Sequence, residues 1–168
     1  MTLEEAKAYL RVENDAEDAQ IEAMIAAARE ACEGFVGGPL VRRELTATVA
    51  GGGSWQRLAA APVWSIGAVE AVDAAGVATP LAAERYAIDI DARGEGWVRA
   101  PAATRVRVSY QAGLAAGPEG VPQSIAQGVI RLAAHLYTVR DTAQAPPAAV
   151  TALWRPWRRL RIDGGARP

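Results

Sequence analysis

The residues of this sequence that could do covalent or acid–base chemistry are few and scattered. His135 is the sole histidine and Cys32 the sole cysteine. A metal centre gathers three or four His, Cys, Asp or Glu ligands, and His135 has no cysteine near it in sequence, so a surface or interface imidazole is expected. Asp89 and Asp91 flank Ile90, and in an extended segment the period of two puts both carboxylates on one face. Such a pair suits general acid–base work, yet an acidic strand edge that discourages aggregation accounts for it as well. Ser65 and Ser109 have no general base at a recognisable spacing. Gly51-Gly52-Gly53-Ser54 lacks the Lys-Ser/Thr pair and the following helix that a phosphate loop needs, so a mobile loop is expected there. No catalytic, cofactor-binding or metal residue is assigned.

The chemistry the chain does advertise is that of binding. Trp154, Arg155, Trp157, Arg158, Arg159 and Arg161 crowd one short segment with no acid among them. Pro156 prevents a helix from running straight through it. Trp and Arg dominate binding hot spots because a rigid amphipathic ring and a planar five-donor fork give much contact for little lost entropy. Two readings stay open: a tail that docks on a partner, or a segment that packs back on its own domain.

The elements around this segment follow from periodicity. Thr2 with Glu5 has the form of a capping box, predicting a helix from Leu3 to about Arg11. Asp15 is expected to cap a longer helix in which Ile21, Met24, Ile25, Ala28, Cys32 and Phe35 form an apolar stripe ending at Gly37-Gly38-Pro39. From Leu40 the period turns to two. Extended stretches at 45–49, 63–66, 69–72, 86–90, 97–99 and 105–110, with turns at Asp73–Gly76 and Gly94–Gly96, read as about five antiparallel strands. After Val121-Pro122 the period is helical again, with Ile125, Val129, Leu132, Leu136 and Tyr137 as the stripe. The fold class expected is α+β: a helical bundle core of two N-terminal helices and one long C-terminal helix, a small antiparallel sheet inserted at about 40–113, and an extended C-terminal tail. Residues 1–145 form the domain on this reading and 146–168 the docking tail.

Composition limits the partners. The 168 residues carry a net charge of −1, which argues against a uniformly basic nucleic-acid binder. The charge is polarised, however. Glu4, Glu5, Glu13, Asp15, Glu17, Asp18, Glu22, Glu30 and Glu33 crowd the N-terminal part, while the arginines gather at the other end. Opposite-signed ends suit a protein that stacks between partners or against copies of itself. With acidic first residues and no apolar run near the ~20 residues of a membrane span, a soluble protein made in the cytoplasm is expected.

Several segments together resemble the head–tail connector (adaptor) proteins of tailed phages, a family that includes adaptors of gene transfer agents. They are Leu3-Glu4-Glu5-Ala6-Lys7-Ala8-Tyr9-Leu10-Arg11-Val12, the stretch from Ile21 to Arg29, Tyr110-Gln111-Ala112-Gly113, the Val121-Pro122 helix start followed by Ala134-His135-Leu136-Tyr137, and the segment from Pro147 to Arg158. The resemblance implies a structural, non-enzymatic subunit without cofactors. It would sit in a ring, commonly of twelve copies, between the portal protein and a tail-side connector, stopper or terminator. DNA would pass through the lumen without sequence-specific contact and no membrane would be involved. The location implied is the head–tail junction of a phage or gene-transfer-agent particle assembled in the bacterial cytoplasm. It also implies that the portal is met by Val150, Leu153, Trp154, Arg155, Pro156, Trp157, Arg158, Arg159, Leu160, Arg161 and Ile162. Val150, Leu153, Pro156 and Arg158 match the family's C-terminal pattern, whereas Trp157 replaces a more usual Tyr and Trp154 a smaller aliphatic residue. A small nucleic-acid-binding module using the same Trp/Arg segment is the alternative.

Overall fold

The computed structural model describes residues 1–139 and 147–159. They fall into two compact units, one made of Met1–Gly37 with the described part of Pro118–Arg159 and the other of Gly38–Gly117.

The first unit is helical. Helix α1 (Leu3–Leu10) starts at the predicted capping box, with Glu5 donating its backbone N–H to Thr2 Oγ1 and Glu5 Oε2 accepting from the Thr2 backbone at 2.8 Å. Helix α2 (Asp18–Val36) buries Ile21, Ile25, Ala28, Cys32 and Val36, and ends on Gly37 at φ 87°, a left-handed geometry that a Cβ disfavours. Asp15 does not cap it; Glu17 holds that position without a side-chain bond, because Asp15 is engaged by Lys7 at 2.7 Å. Helix α3 (Gln123–Thr138) buries Ile125, Val129, Leu132 and Ala133. Leu136, expected in the core, is 37% exposed in the last turn.

The second unit is a five-stranded antiparallel sheet: β1 (Arg43–Arg57), β2 (Val63–Val72), β3 (Ala78–Pro80), β4 (Ala87–Ile90) and β5 (Gly96–Ala112), in the order β1-β5-β2-β3 with β4 also on β5. Its own core comprises Leu58, Val63, Val69, Val98, Ala100, Val106, Val108, Tyr110 and Ala112. Alternation along β5 sends Val106, Val108 and Tyr110 inward and leaves Arg105 and Gln111 exposed. The β2–β3 connection is the expected turn, with Gly76 at φ 85° and Asp73 Oδ1 accepting from Val77 N at 2.8 Å.

This architecture corrects the expected one. The molecule is α+β, but the sheet is no small insert in a helical bundle: it is a compact unit with its own core, built on strands of 15 and 17 residues. The sequence hid their length behind punctuation. Gly51–Ser54 lies within β1 rather than in a loop, and β5 runs on through Pro101, because register shifts between Ala50, Gly52 and Gln56 absorb the irregular residues. A Cβ at Gly51 would stand 2.1 Å from the Ala103 carbonyl oxygen, so the bulge needs glycine. Nor is the described part of the C-terminal segment extended: Ala148–Trp154 forms helix α4 and Arg155–Trp157 a 3₁₀ turn. Residues 140–146 lie outside the description, and with them the expected boundary at 145.

Two measurements probe the helical unit. Leu132→Ala should cost about 2–5 kcal/mol by leaving a cavity, while Leu136→Ala should cost under about 1 kcal/mol, both read from chemical denaturation. Burial, and next the charge of Glu33, push the Cys32 thiol up to about 12. Maleimide at pH 8 should therefore leave the native thiol unlabelled and modify it on unfolding. An unfolded thiol ionises near pH 8.5, so stability should fall as pH rises from there toward 12.

Candidate functional site

The C-terminal segment is held by one indole. Trp154 is 2% exposed and lies against Gly128 of α3, where a Cβ would stand 2.1 Å from its Nε1. That Nε1 donates to the Ile125 carbonyl at 3.3 Å, and the ring meets Phe35 with centroids 5.9 Å apart. Val150, one turn earlier on α4, is buried beside it in sequence phase. Beyond this anchor the segment turns outward. Arg155, Pro156, Trp157 and Arg158 are exposed, Leu153 and Arg159 half-buried. Trp157 keeps 36% of its surface in solvent while donating to Ser124 Oγ at 3.0 Å. The Arg158 guanidinium lies 5.3 Å from the Phe35 ring centre, and Arg159 N donates to the Val36 carbonyl at 3.2 Å. The result is an indole flanked by two exposed guanidiniums on a buried base of Val150 and Trp154. Leu160, Arg161 and Ile162 lie outside the described residues.

The other candidates take structural roles. Asp91 lies past the end of β4 and organises the β4–β5 turn: Oδ1 accepts from Arg93 N and Glu95 N, each at 2.9 Å, and Oδ2 from Trp97 Nε1 at 3.2 Å. Asp89 stands opposite Trp97 within β4, whereas Asp91 lies past the strand's end. Ser65 and Ser109 line a shallow depression of about 240 Å³ on the sheet with Glu44 and Gln111. His135 lines a groove of about 540 Å³ in the helical unit with Tyr9, Leu10, Arg131 and Val150. No group of three His, Cys, Asp or Glu residues able to hold a metal occurs among the described residues. No helix there is long and apolar enough to cross a membrane.

The N-terminal acids are largely spent on the fold. Lys7 binds Asp15 and Asp18, each at 2.7 Å. The bond from Asp15 and next that from Asp18 hold the Lys7 pKa above its ordinary value, and the same contact holds Asp15 below the usual carboxylate range. The Tyr137 hydroxyl donates to Glu17. Sequence reasoning missed two Arg–Trp stacks in the sheet unit, Arg42 with Trp64 at 4.9 Å and Arg99 with Trp55 at 5.1 Å. The latter pair is the next position along the register set by Arg57–Trp97 and Gln56–Val98, which only the pairing could reveal.

Comparison with known proteins supplies the context for this surface. No curated protein matches the chain. Among solved structures, it is similar to a protein in the neck of an empty GTA particle computed with C6 symmetry, at 32% identity and a TM-score of 0.78 over 99% of this chain and 93% of that one. A protein in the virion of the native gene transfer agent (GTA) particle gives 32% identity and a TM-score of 0.76, over 98% and 92% of the two chains. One in the neck of the native GTA particle computed with C12 symmetry gives 34% and 0.71, over 96% and 92%. The Head completion protein family model matches residues 1–145, which is most of the chain, and the chain belongs to that family.

Proposed function

We propose that this chain is a structural head–tail connector subunit of a phage-like particle, working as a homo-oligomeric ring at the head–tail junction with no catalytic step. The observation that carries this reading is a fold shared along 99% of the chain, at 32% identity, with a protein of the GTA particle neck, in a chain whose family is that of head completion proteins. The C12 symmetry of a native neck supports a ring of twelve. Rings follow from heterologous contacts that close on themselves.

Within this reading the portal protein lies against the C-terminal segment and a tail-side connector against the opposite face of the ring. DNA passes through the lumen without being read. The division of labour along the segment supports the portal assignment: Val150 and Trp154 fasten it from within, and Arg155, Trp157 and Arg158 are left outward. An indole buries about 150–250 Å² when fully covered. The flanking guanidiniums pair with carboxylates or carbonyls of the partner and fix register.

Removing the chain from particle-producing cells should leave DNA-filled heads that carry no tails; normal tail attachment would overturn the assignment. Trp157→Ala should weaken attachment to portal-bearing heads by roughly 2 kcal/mol, about thirtyfold, with an unchanged melting temperature. Trp154→Ala should instead lower stability by about 3–5 kcal/mol. Attachment through an indole-centred protein interface should weaken little between low and moderate salt, whereas phosphate contacts by these arginines would give a steep salt dependence.

A further inference from the structure

Among the described residues, the sheet unit has an open edge. β1 is one of the two longest strands, yet among the described residues it pairs with β5 alone. Its stretch Leu45-Thr46-Ala47-Thr48-Val49-Ala50 is in unbroken register, carries no charge and contains no proline. Those six residues make no hydrogen bond beyond the β5 ladder among the described residues. An antiparallel strand paired on one side directs about half of its N–H and C=O groups away from its partner. Chains that stay single blunt such an edge with charge, proline, bulges or shortness. Here the bulges begin only after Ala50, beyond the stretch.

A complementary edge lies across the same sheet. β4 hydrogen-bonds to β5 on the side opposite β1, and leaves Ile88 and Ile90 42% and 38% exposed. Cross-strand partners project to the same side of a sheet. Leu45, Ala47 and Val49 stand opposite Tyr110, Val108 and Val106, and Ile88 stands opposite Val98, all four partners belonging to the sheet's core. Leu45, Ala47 and Val49 are thus half-buried against the sheet core along one edge, and the other edge exposes Ile88 and Ile90. Laying one beside the other continues the apolar layer and satisfies the outward backbone groups together.

We propose that the Leu45–Ala50 edge of β1 pairs with β4 of a second copy, so that the sheets of neighbouring subunits join around the ring. This rests on the connector reading above. The two edges differ, as a heterologous ring contact requires. Leu45–Ala50 and β4 flank opposite ends of β5, so the strands are inclined to the ring axis, as staggered strands are in a closed barrel.

The test uses the full chain in assembled particles. β1 and β4 both run antiparallel to β5, so ring neighbours bring them together in parallel; Ala47→Cys combined with Ile88→Cys, and Val49→Cys combined with Ile90→Cys, are treated with a short bis-maleimide. Cys32, at 0% exposure, gives no background. At least one pair should give a ladder of covalent multimers up to the full ring, and the single-cysteine variants none. Necks that contain the chain but yield no ladder from either pair overturn the edge pairing. So does a dimer from Val49→Cys alone, which would mean β1 meets β1. Ala47→Lys adds a readout without cysteine: the subunit should keep its melting temperature but enter necks at least tenfold less, and normal entry would count against the proposal. Absence of the unmodified chain from necks would instead defeat the connector reading.

Discussion

The C-terminal surface depends on a missing methyl group. Gly128 sits inside α3, where glycine is unfavourable by about 1 kcal/mol relative to alanine, and the bare backbone there admits the Trp154 indole. Everything outward follows from that contact. With Trp154 seated, Val150 packs one turn earlier, the 3₁₀ turn starts at Arg155, and Trp157 reaches Ser124 while keeping part of its ring in solvent. The two tryptophans, alike in the sequence, are thus divided into a buried anchor and a partly exposed ring by a glycine far from them in the chain.

That division explains what was legible in the sequence and what was not. The helices were readable because their signals are local: a capping box at Thr2 and Glu5, a stripe from Ile21 to Cys32, a left-handed stop at Gly37. The Trp/Arg segment stood out by its local composition for the same reason. Its inner and outer faces were not, because burial of Trp154 rests on an interaction 26 positions away in sequence, with no local period to announce it. The sheet was misjudged for a related reason. Gly51-Gly52-Gly53 and Pro101 are chain breakers by type, and only a partner strand across the bulge turns them into parts of a long ladder. Long-range pairing overrode local propensity at each point where the expectation failed.

Charge was legible as a total but not as a function. The acid-rich N-terminal part suggests an interaction surface, yet Glu5 completes a cap, Asp15 and Asp18 grip Lys7, and Glu17 accepts from Tyr137. Exposed pairs of this kind contribute little to stability. Here they fix the start of α2 relative to α1 and α3, within the unit that carries Trp154. The acids left exposed, Glu4, Glu13, Glu22 and Glu30, are spread over helices α1 and α2 and the link between them, so they set a general field rather than a site.

On the connector reading proposed above, a surface of one partly exposed indole and two guanidiniums is weak for a single subunit, and a ring does not need it to be strong. When copies are held in one closed assembly, each contact after the first is intramolecular, and avidity exceeds the single-site affinity by about 10²–10⁴ without any new contact. Weak individual sites also let a mismatched subunit leave before the ring closes, whereas a tight one would trap errors. This makes the rigidity of the base the property that matters most. If the indole–guanidinium cluster wandered by an ångström or two in each copy, the sites could not engage together and the gain from multiplicity would be lost. Trp154 on Gly128 supplies that rigidity, which is why a bare glycine in the middle of a helix is worth its cost.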